Sequence, residues 1–343
     1  MTAPGLRFPA EWEPQSAVLL AWPHGGTDWA ARLTEVENSY VALVAAITRF
    51  ELAIVCVAEA ELQQHAARLL GAAGVPSTRV RFAQVEYDDT WLRDSGPLTL
   101  RDGDGFRLLD FRFNAWGDKF AAMRDDRLVE ALVEQGIFRN AQRERIDFAL
   151  EGGAIETDGA GTLLSTWHCL HARHPGLDRS EIEARLHDAL RQQRVLWLDH
   201  GALEGDDTDA HIDTLARFAD PATIVYQGCD DPRDAHHAEL QRMAHELAAL
   251  RTLEGNPYRL FALPWAKPVI DGGRRLAASY ANFLIVNGAV LMPAYDDPAD
   301  AVAAAMLEKA FPGRKIVQVP CRTLIWQNGS LHCLTMQLPE GLI

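Results

Sequence analysis

The chain of 343 residues has no apolar stretch approaching the eighteen or so residues that a helical membrane span needs, so no membrane partner is expected. Its start, Met1-Thr-Ala-Pro-Gly-Leu-Arg7, lacks the charged-then-apolar pattern of an export signal. Cysteine is scarce: Cys56, Cys169, Cys229, Cys321 and Cys333 are an odd number, widely spaced, without a Cys-x-x-Cys pair. That argues against a disulfide framework and for a reduced, cytoplasmic setting. Positive charge is in deficit, with 33 basic against 48 acidic residues and a formal net charge of −15. Nucleic acid is therefore not an expected partner, whereas a cationic ligand meets a favourable long-range field. Pro/Ser/Gly-rich linkers and low-complexity tracts are also missing, so residues 1–343 are read as one domain. With 48% hydrophobic and 24% charged residues, the chain has ample material for a core. The oligomeric state is left open, a homo-oligomer included.

What is present is a series of polar loops between strand and helix patterns. Apolar spacing predicts an amphipathic helix over 28–49, a buried strand over 51–57 and a helix over 59–70. A strand over 80–86 then enters Tyr87-Asp-Asp-Thr-Trp-Leu-Arg-Asp-Ser-Gly-Pro97, a loop crowded with polar groups. Further units follow: a glycine-turned hairpin over 150–166, helix 178–192 and strand 194–198; helix 231–251 and strand 257–263; then a hairpin turned at Asn287-Gly288, helix 298–310 and strand 315–319. Taking Asp94, Glu151, His211, Asn282 and Cys333 as markers, the intervals are 57, 60, 71 and 51 residues. Such loose repeats suggest a closed array pointing all five loops at one centre. The alternative architecture is a doubly wound parallel sheet.

The chemistry concentrates in those loops. Asn328-Gly329 signals a turn, and the alternation after it reads as a short strand that presents Cys333. A free cysteine more often packs as a small hydrophobe, and it is the company upstream that argues for a nucleophile. In Asp206-Asp-Thr-Asp-Ala-His-Ile-Asp213, an extended segment would turn His211 and Asp213 the same way. His211 suits general acid and base work, and Asp213 can hold a cation. Asp88, Asp89 and Asp94 crowd with Trp91 and Arg93, while Glu151 adds a carboxylate beside Gly152-Gly153. Converging carboxylates raise one another's pKa unless a cation lies between them, and a guanidinium can meet two at once.

A thiolate beside that cation could add to the central guanidinium carbon, with His211 protonating the departing ammonia and then activating water. No cofactor is called for. A metal site built on His211 and the aspartates is an alternative, but no His-x-x-x-His or paired-Cys spacing supports it. His332 is expected to face away from the groups that Cys333 meets, because neighbouring strand residues alternate. His168-Cys169 is a rival dyad with the same defect.

With these residues assembled, the chain resembles the agmatine deiminase family, also called Porphyromonas-type peptidylarginine deiminases, in the guanidino-modifying pentein superfamily. The resemblance rests on Pro9-Ala-Glu-Trp-Glu-Pro-Gln-Ser-Ala17, Ala21-Trp-Pro-His24, Asp88-Asp-Thr-Trp-Leu-Arg-Asp-Ser-Gly-Pro97, Asn114-Ala-Trp-Gly117, Leu150-Glu-Gly-Gly153, Thr208-Asp-Ala-His-Ile-Asp213, Tyr280-Ala-Asn-Phe283 and Leu331-His-Cys333. It implies a five-bladed α/β propeller with the site on its axis and a small cationic guanidino substrate. By the same resemblance, Cys333 would be the nucleophile, His211 the acid/base, Asp94 and Asp213 the guanidinium carboxylates, and Glu151 a supporting group. Trp91 and Trp116 would line the channel, and Asp88, Asp89 and Asp207 are candidate partners for a distal amine. The chain departs from the family pattern at Gln327-Asn-Gly-Ser330, Asp209-Ala-His-Ile-Asp-Thr214 and Ala172-Arg-His-Pro175.

Overall fold

The computed structural model describes residues 5–343. β-Branched and leucine-rich runs form short strands, and five sheets result, each mixing one antiparallel and at least one parallel pairing. In the first, β1 (Gln15–Ala21) runs parallel to β2 (Leu52–Val57), which runs parallel to β3 (Val80–Gln84). The second holds β4 (Leu98–Asp102), β5 (Gly105–Arg112) and β6 (Ala141–Ala149); the third holds β7 (Ile155–Thr157), β8 (Thr162–Thr166) and β9 (Arg194–Leu198). The fourth holds β10 (Ala216–Asp220), β11 (Thr223–Gln227) and β12 (Arg259–Leu263). A separate hairpin, β13 (Val269–Asp271) and β14 (Arg274–Leu276), precedes the fifth sheet of β15 (Leu284–Val286), β16 (Ala289–Ala294) and β17 (Lys315–Pro320). The last strand, β18 (Thr335–Pro339), returns to pair antiparallel with β1.

From the second sheet to the fifth the recipe is constant: a hairpin, a helical crossover, and a third strand parallel to the second. The crossovers bury one apolar stripe each, such as Ile182, Leu186 and Leu190 of helix Arg179–Leu190 or Leu240, Met243 and Leu247 of helix His237–Ala249. A single doubly wound parallel sheet does not form. Predicted elements recur with trimmed ends: the 231–251 helix begins only at His237, because 231–236 is a turn in which Asp234 Oδ1 accepts from the His236 backbone N–H at 3.0 Å.

The placement of the polar loops matters most for function. Asp94 lies shortly before β4, Glu151 before β7, His211 and Asp213 before β10, Asn282 before β15, and Cys333 before β18. Each therefore occupies the same position in its unit, at the entry to an antiparallel pair.

Candidate active site

Gly153 marks the point of convergence. A Cβ added there would lie 2.6 Å from His211 Nδ1, 2.8 Å from Asp94 Oδ1 and 3.2 Å from Asp213 Oδ2, so only glycine lets the three groups meet. The Gly153 backbone N–H donates to Asp94 Oδ1 at 2.9 Å, and Trp116 Nε1 donates to Asp94 Oδ2 at 2.9 Å. Cys333 Sγ lies 3.5 Å from Asp213 Oδ2 and accepts from Asn282 Nδ2 at 3.2 Å. Glu151 Oε2 stands 3.8 Å from His211 Nε2, while Glu151 Oε1 accepts from Arg173 Nε at 2.6 Å. All five predicted catalytic residues are thus brought together and are buried.

Two local expectations fail although their residues converge. His211 and Asp213 are not on an extended segment: His211 caps a 3-10 turn, Ile212–Thr214, after two left-handed residues, Asp209 and Ala210. The turn, not strand alternation, aims both side chains inward. Cys333 likewise lies in a turn that ends just before β18, so alternation does not apply to it. His332 consequently does not face away: its Nδ1 is 2.8 Å from Asp213 Oδ2, the oxygen that Cys333 also approaches. The His168-Cys169 dyad is absent, because both residues lie on helix Trp167–Arg173 with His168 exposed and Cys169 buried. Cys169 instead approaches Glu151 and His211, a contact its sequence neighbours do not signal.

Electrostatics follow from burial. Desolvation pushes the Asp94 carboxyl up to about 6, with His211 pulling against it and Asp213 and Glu151 adding to it. Burial would also raise Asp213, but the His332 hydrogen bond and charge outweigh it and hold this carboxyl below its ordinary value. Glu151 is likewise held low against burial, by His211 and Arg173. The imidazole of His211 resists its own desolvation and rises well above the ordinary value beside Asp94 and Cys169. Burial, Asp213 and Asp94 all raise the Cys333 thiol well above its usual range. At rest, neutral thiol faces imidazolium and carboxylates.

Several buried polar atoms here have no hydrogen-bond partner among the described residues: Glu151 Oε2, Asp213 Oδ1 and both ring nitrogens of His211. A buried acceptor left unsatisfied costs roughly 1–3 kcal/mol, so the two carboxylate oxygens are suited to receive N–H groups from a ligand. Beside this centre, and joined to it through Trp116, is a cavity of about 530 Å³ lined by Trp91, Trp116 and Trp326 and by Asp28, Asp88, Asp89, Asp125 and Asp207, none of the five predicted catalytic residues forming part of its wall. All five predicted substrate-binding residues line it. Burial pushes Asp89 and Asp125 up to about 7 and raises Asp207. Trp116 bridges cavity and centre, carried on a run of left-handed residues from Ala115 to Asp118 that turns its indole onto Asp94. Asp28, Asp125, Trp326 and Arg274 were not singled out from sequence; they reach the cavity from three separate 3-10 turns and from β14, with no local motif.

Glu151, Cys169 and His211 offer three ligand atoms within 4.8 Å of one another and could hold a metal ion. The Arg173 guanidinium already gives Glu151 its counter-charge, which disfavours a second cation there. Glu11, Glu156 and His332 form a similar group, but Arg217 bonds both of its glutamates.

A thiol, an imidazole and three carboxylates, gathered from loops of five mixed α/β sheets, place the protein among enzymes with a buried, charged centre. The chain belongs to the Porphyromonas-type peptidyl-arginine deiminase family, whose model matches residues 7–339. It is 36% identical to an agmatine deiminase of Stutzerimonas stutzeri, over 99% of this chain and 97% of that one. The structure of a putative arginine deiminase from Porphyromonas gingivalis superposes with a TM-score of 0.91 at 47% identity, covering 98% and 99% of the two chains. A C. jejuni agmatine deiminase variant with substrate bound gives 0.91 at 34% identity, covering 98% and 97%. No helix among the described residues is long and apolar enough to cross a membrane.

Proposed function

We propose that the protein is an agmatine deiminase, a cysteine hydrolase that converts agmatine and water to N-carbamoylputrescine and ammonia. The observation that carries this reading is the buried Asp213 carboxylate, which has one oxygen 3.5 Å from the Cys333 thiol and the other without a partner. A guanidinium supplies the missing donors and the missing positive charge together. The adjoining acid-lined cavity suits the distal amine, and relatives of similar length carry the agmatine deiminase name.

Asp94 and Asp213 would take the guanidinium between them. Its charge offsets the field that raises Cys333, so the thiol loses its proton to solvent through the cavity, where it ends on the released ammonia, and the thiolate adds to the central carbon. His211, charged at rest, protonates the leaving nitrogen, and ammonia departs from the tetrahedral adduct. The thiouronium that remains is attacked by water as His211 takes a proton back. Collapse of the second adduct breaks the carbon–sulfur bond, releases the ureido product and restores the thiol. Glu151 supports His211 on its far side, and Trp116 holds Asp94.

The same reading makes the five sheets the blades of a closed propeller forming one catalytic domain, supported by the return of β18 to β1 and the equivalent placement of the five polar loops. The five unpaired cysteines suit a thiol enzyme kept reduced in the cytoplasm.

One residue favours a second substrate: Arg274, at the cavity wall, could meet the carboxylate of arginine. It is already engaged by the Trp326 carbonyl and Asn328 Oδ1. The test is ammonia release from agmatine, arginine and a peptidyl-arginine by the wild-type protein and by Cys333→Ser. Release from agmatine alone, abolished in the variant, is expected. Turnover of arginine in preference to agmatine would transfer the assignment to Arg274 and the second substrate.

A further inference from the structure

We propose that His332, backed by Glu11, is a positioning residue that fixes the Asp213 carboxylate for the guanidinium. The inference rests on the reading of Asp213 as a substrate carboxylate. Each nitrogen of the His332 ring addresses a carboxylate: Nδ1 is 2.8 Å from Asp213 Oδ2, and Nε2 is 2.8 Å from Glu11 Oε2. The ring is buried, so water does not compete for either contact. Because His332 occupies Oδ2, the other oxygen, Oδ1, is left buried and without a partner. That oxygen keeps its full capacity to receive an N–H from a ligand.

The support behind the ring is itself held. Glu11 Oε2 accepts from Arg217 Nη2 at 2.8 Å and has Arg93 Nη2 3.7 Å away; Arg217 is pinned in turn by Glu156 and by the Phe283 carbonyl at 2.7 Å. Burial works to raise the Glu11 carboxyl, yet Arg217, His332 and Arg93 hold it well below the usual range. Glu11 is therefore an anion that calls for an N–H at Nε2, as the ionised Asp213 does at Nδ1, and these two demands work against burial and the Arg217 and Arg93 charges, which lower the pKa of the ring. An imidazole with an anion at each nitrogen cannot flip or tilt without losing one of them. The backbone agrees, since the His332 N–H donates to Asn282 Oδ1 at 2.9 Å, and the same asparagine reaches Cys333 Sγ. One side chain thereby sets the carboxylate while its own main chain sets the nucleophile. Three elements far apart in sequence, the loop before β1, the loop before β15 and the turn before β18, meet in this arrangement.

The test separates binding from chemistry. Agmatine affinity is measured by calorimetry in a Cys333→Ser background, which cannot turn over, with His332→Ala, His332→Asn or Glu11→Gln added. His332→Ala is expected to weaken binding tenfold or more, on the order seen when a group orienting a ligating side chain is lost. His332→Asn, whose amide can replace the Nδ1 donor, should recover most of the affinity, and Glu11→Gln should give a smaller loss. With the thiol restored, KM should rise more than kcat falls. Unaltered affinity in a folded His332→Ala protein overturns the proposal. So does equal weakening by His332→Asn and His332→Ala, which would mean general loss of packing. Failure of the Cys333→Ser parent to bind any guanidine removes the reading of Asp213 itself, and this inference with it.

Discussion

Cys333 is poised against ionisation at rest, since burial, Asp213 and Asp94 all keep its proton in place. Reactivity should therefore come with the substrate rather than precede it. Alkylation of Cys333 by iodoacetamide in the free protein, followed by mass spectrometry, should be slow at pH 7. It should rise about tenfold per pH unit up to pH 9, as the small thiolate fraction grows. A flat profile across that range would mean that a thiolate is already present and would defeat the idea of substrate-assisted ionisation. At this scale, sequence reasoning reached Cys333, His211, Asp94, Asp213 and Glu151, because polar residues crowded beside turn residues are unusual for a core. It did not reach Glu11, which stood only inside the Pro9–Ala17 stretch that carries the family resemblance. The partners that give Glu11 meaning, Arg217 and His332, lie 206 and 321 residues away. No local pattern encodes such a contact.

Among the elements, the short turns carry the geometry and the strands hold the turns. Strand and helix positions were legible from apolar periodicity, with ends trimmed by a few residues. The turns were not, since 3-10 and left-handed segments such as 209–214 and 115–118 leave no periodic signal. Reading them as strands gave the right inward aim for His211 and Asp213 but the wrong one for His332. The Gly152–Ala154 turn offers the sharpest test. In Gly153→Ala the methyl would press on His211 and Asp94, neither of which can withdraw through packed surroundings. The expected outcome is a fall in kcat/KM on the order of 100-fold or more, with the circular dichroism spectrum unchanged. A variant of near-normal activity would show that the three groups need not meet at that point.

For the whole molecule, contacts between loops tie one sheet to another. Glu51, ahead of β2, accepts from the Asn287 backbone N–H of the β15–β16 turn at 2.8 Å. Burial, reinforced by Glu11, pushes its carboxyl up to about 7. A folded-state value above the unfolded one means that the folded protein binds the extra proton, so stability falls as pH rises from the ordinary carboxylate range through 7. Glu51→Gln, which keeps an acceptor for Asn287, should raise stability at pH 8 by about 1–2 kcal/mol. The gain should fade as pH is lowered toward about 4.5. Urea denaturation at three pH values would measure it, and a gain independent of pH would exclude this ionisation as the cause.

The pairing of β18 with β1 has one more consequence. The thiol sits two residues before the strand that joins the first sheet from the far end of the fold. Loss of that pairing would free the turn that carries both Cys333 and His332, so the thiol and the ring bonded to Asp213 would leave the site together. Cation binding and turnover both depend on the two ends of the chain meeting in one sheet.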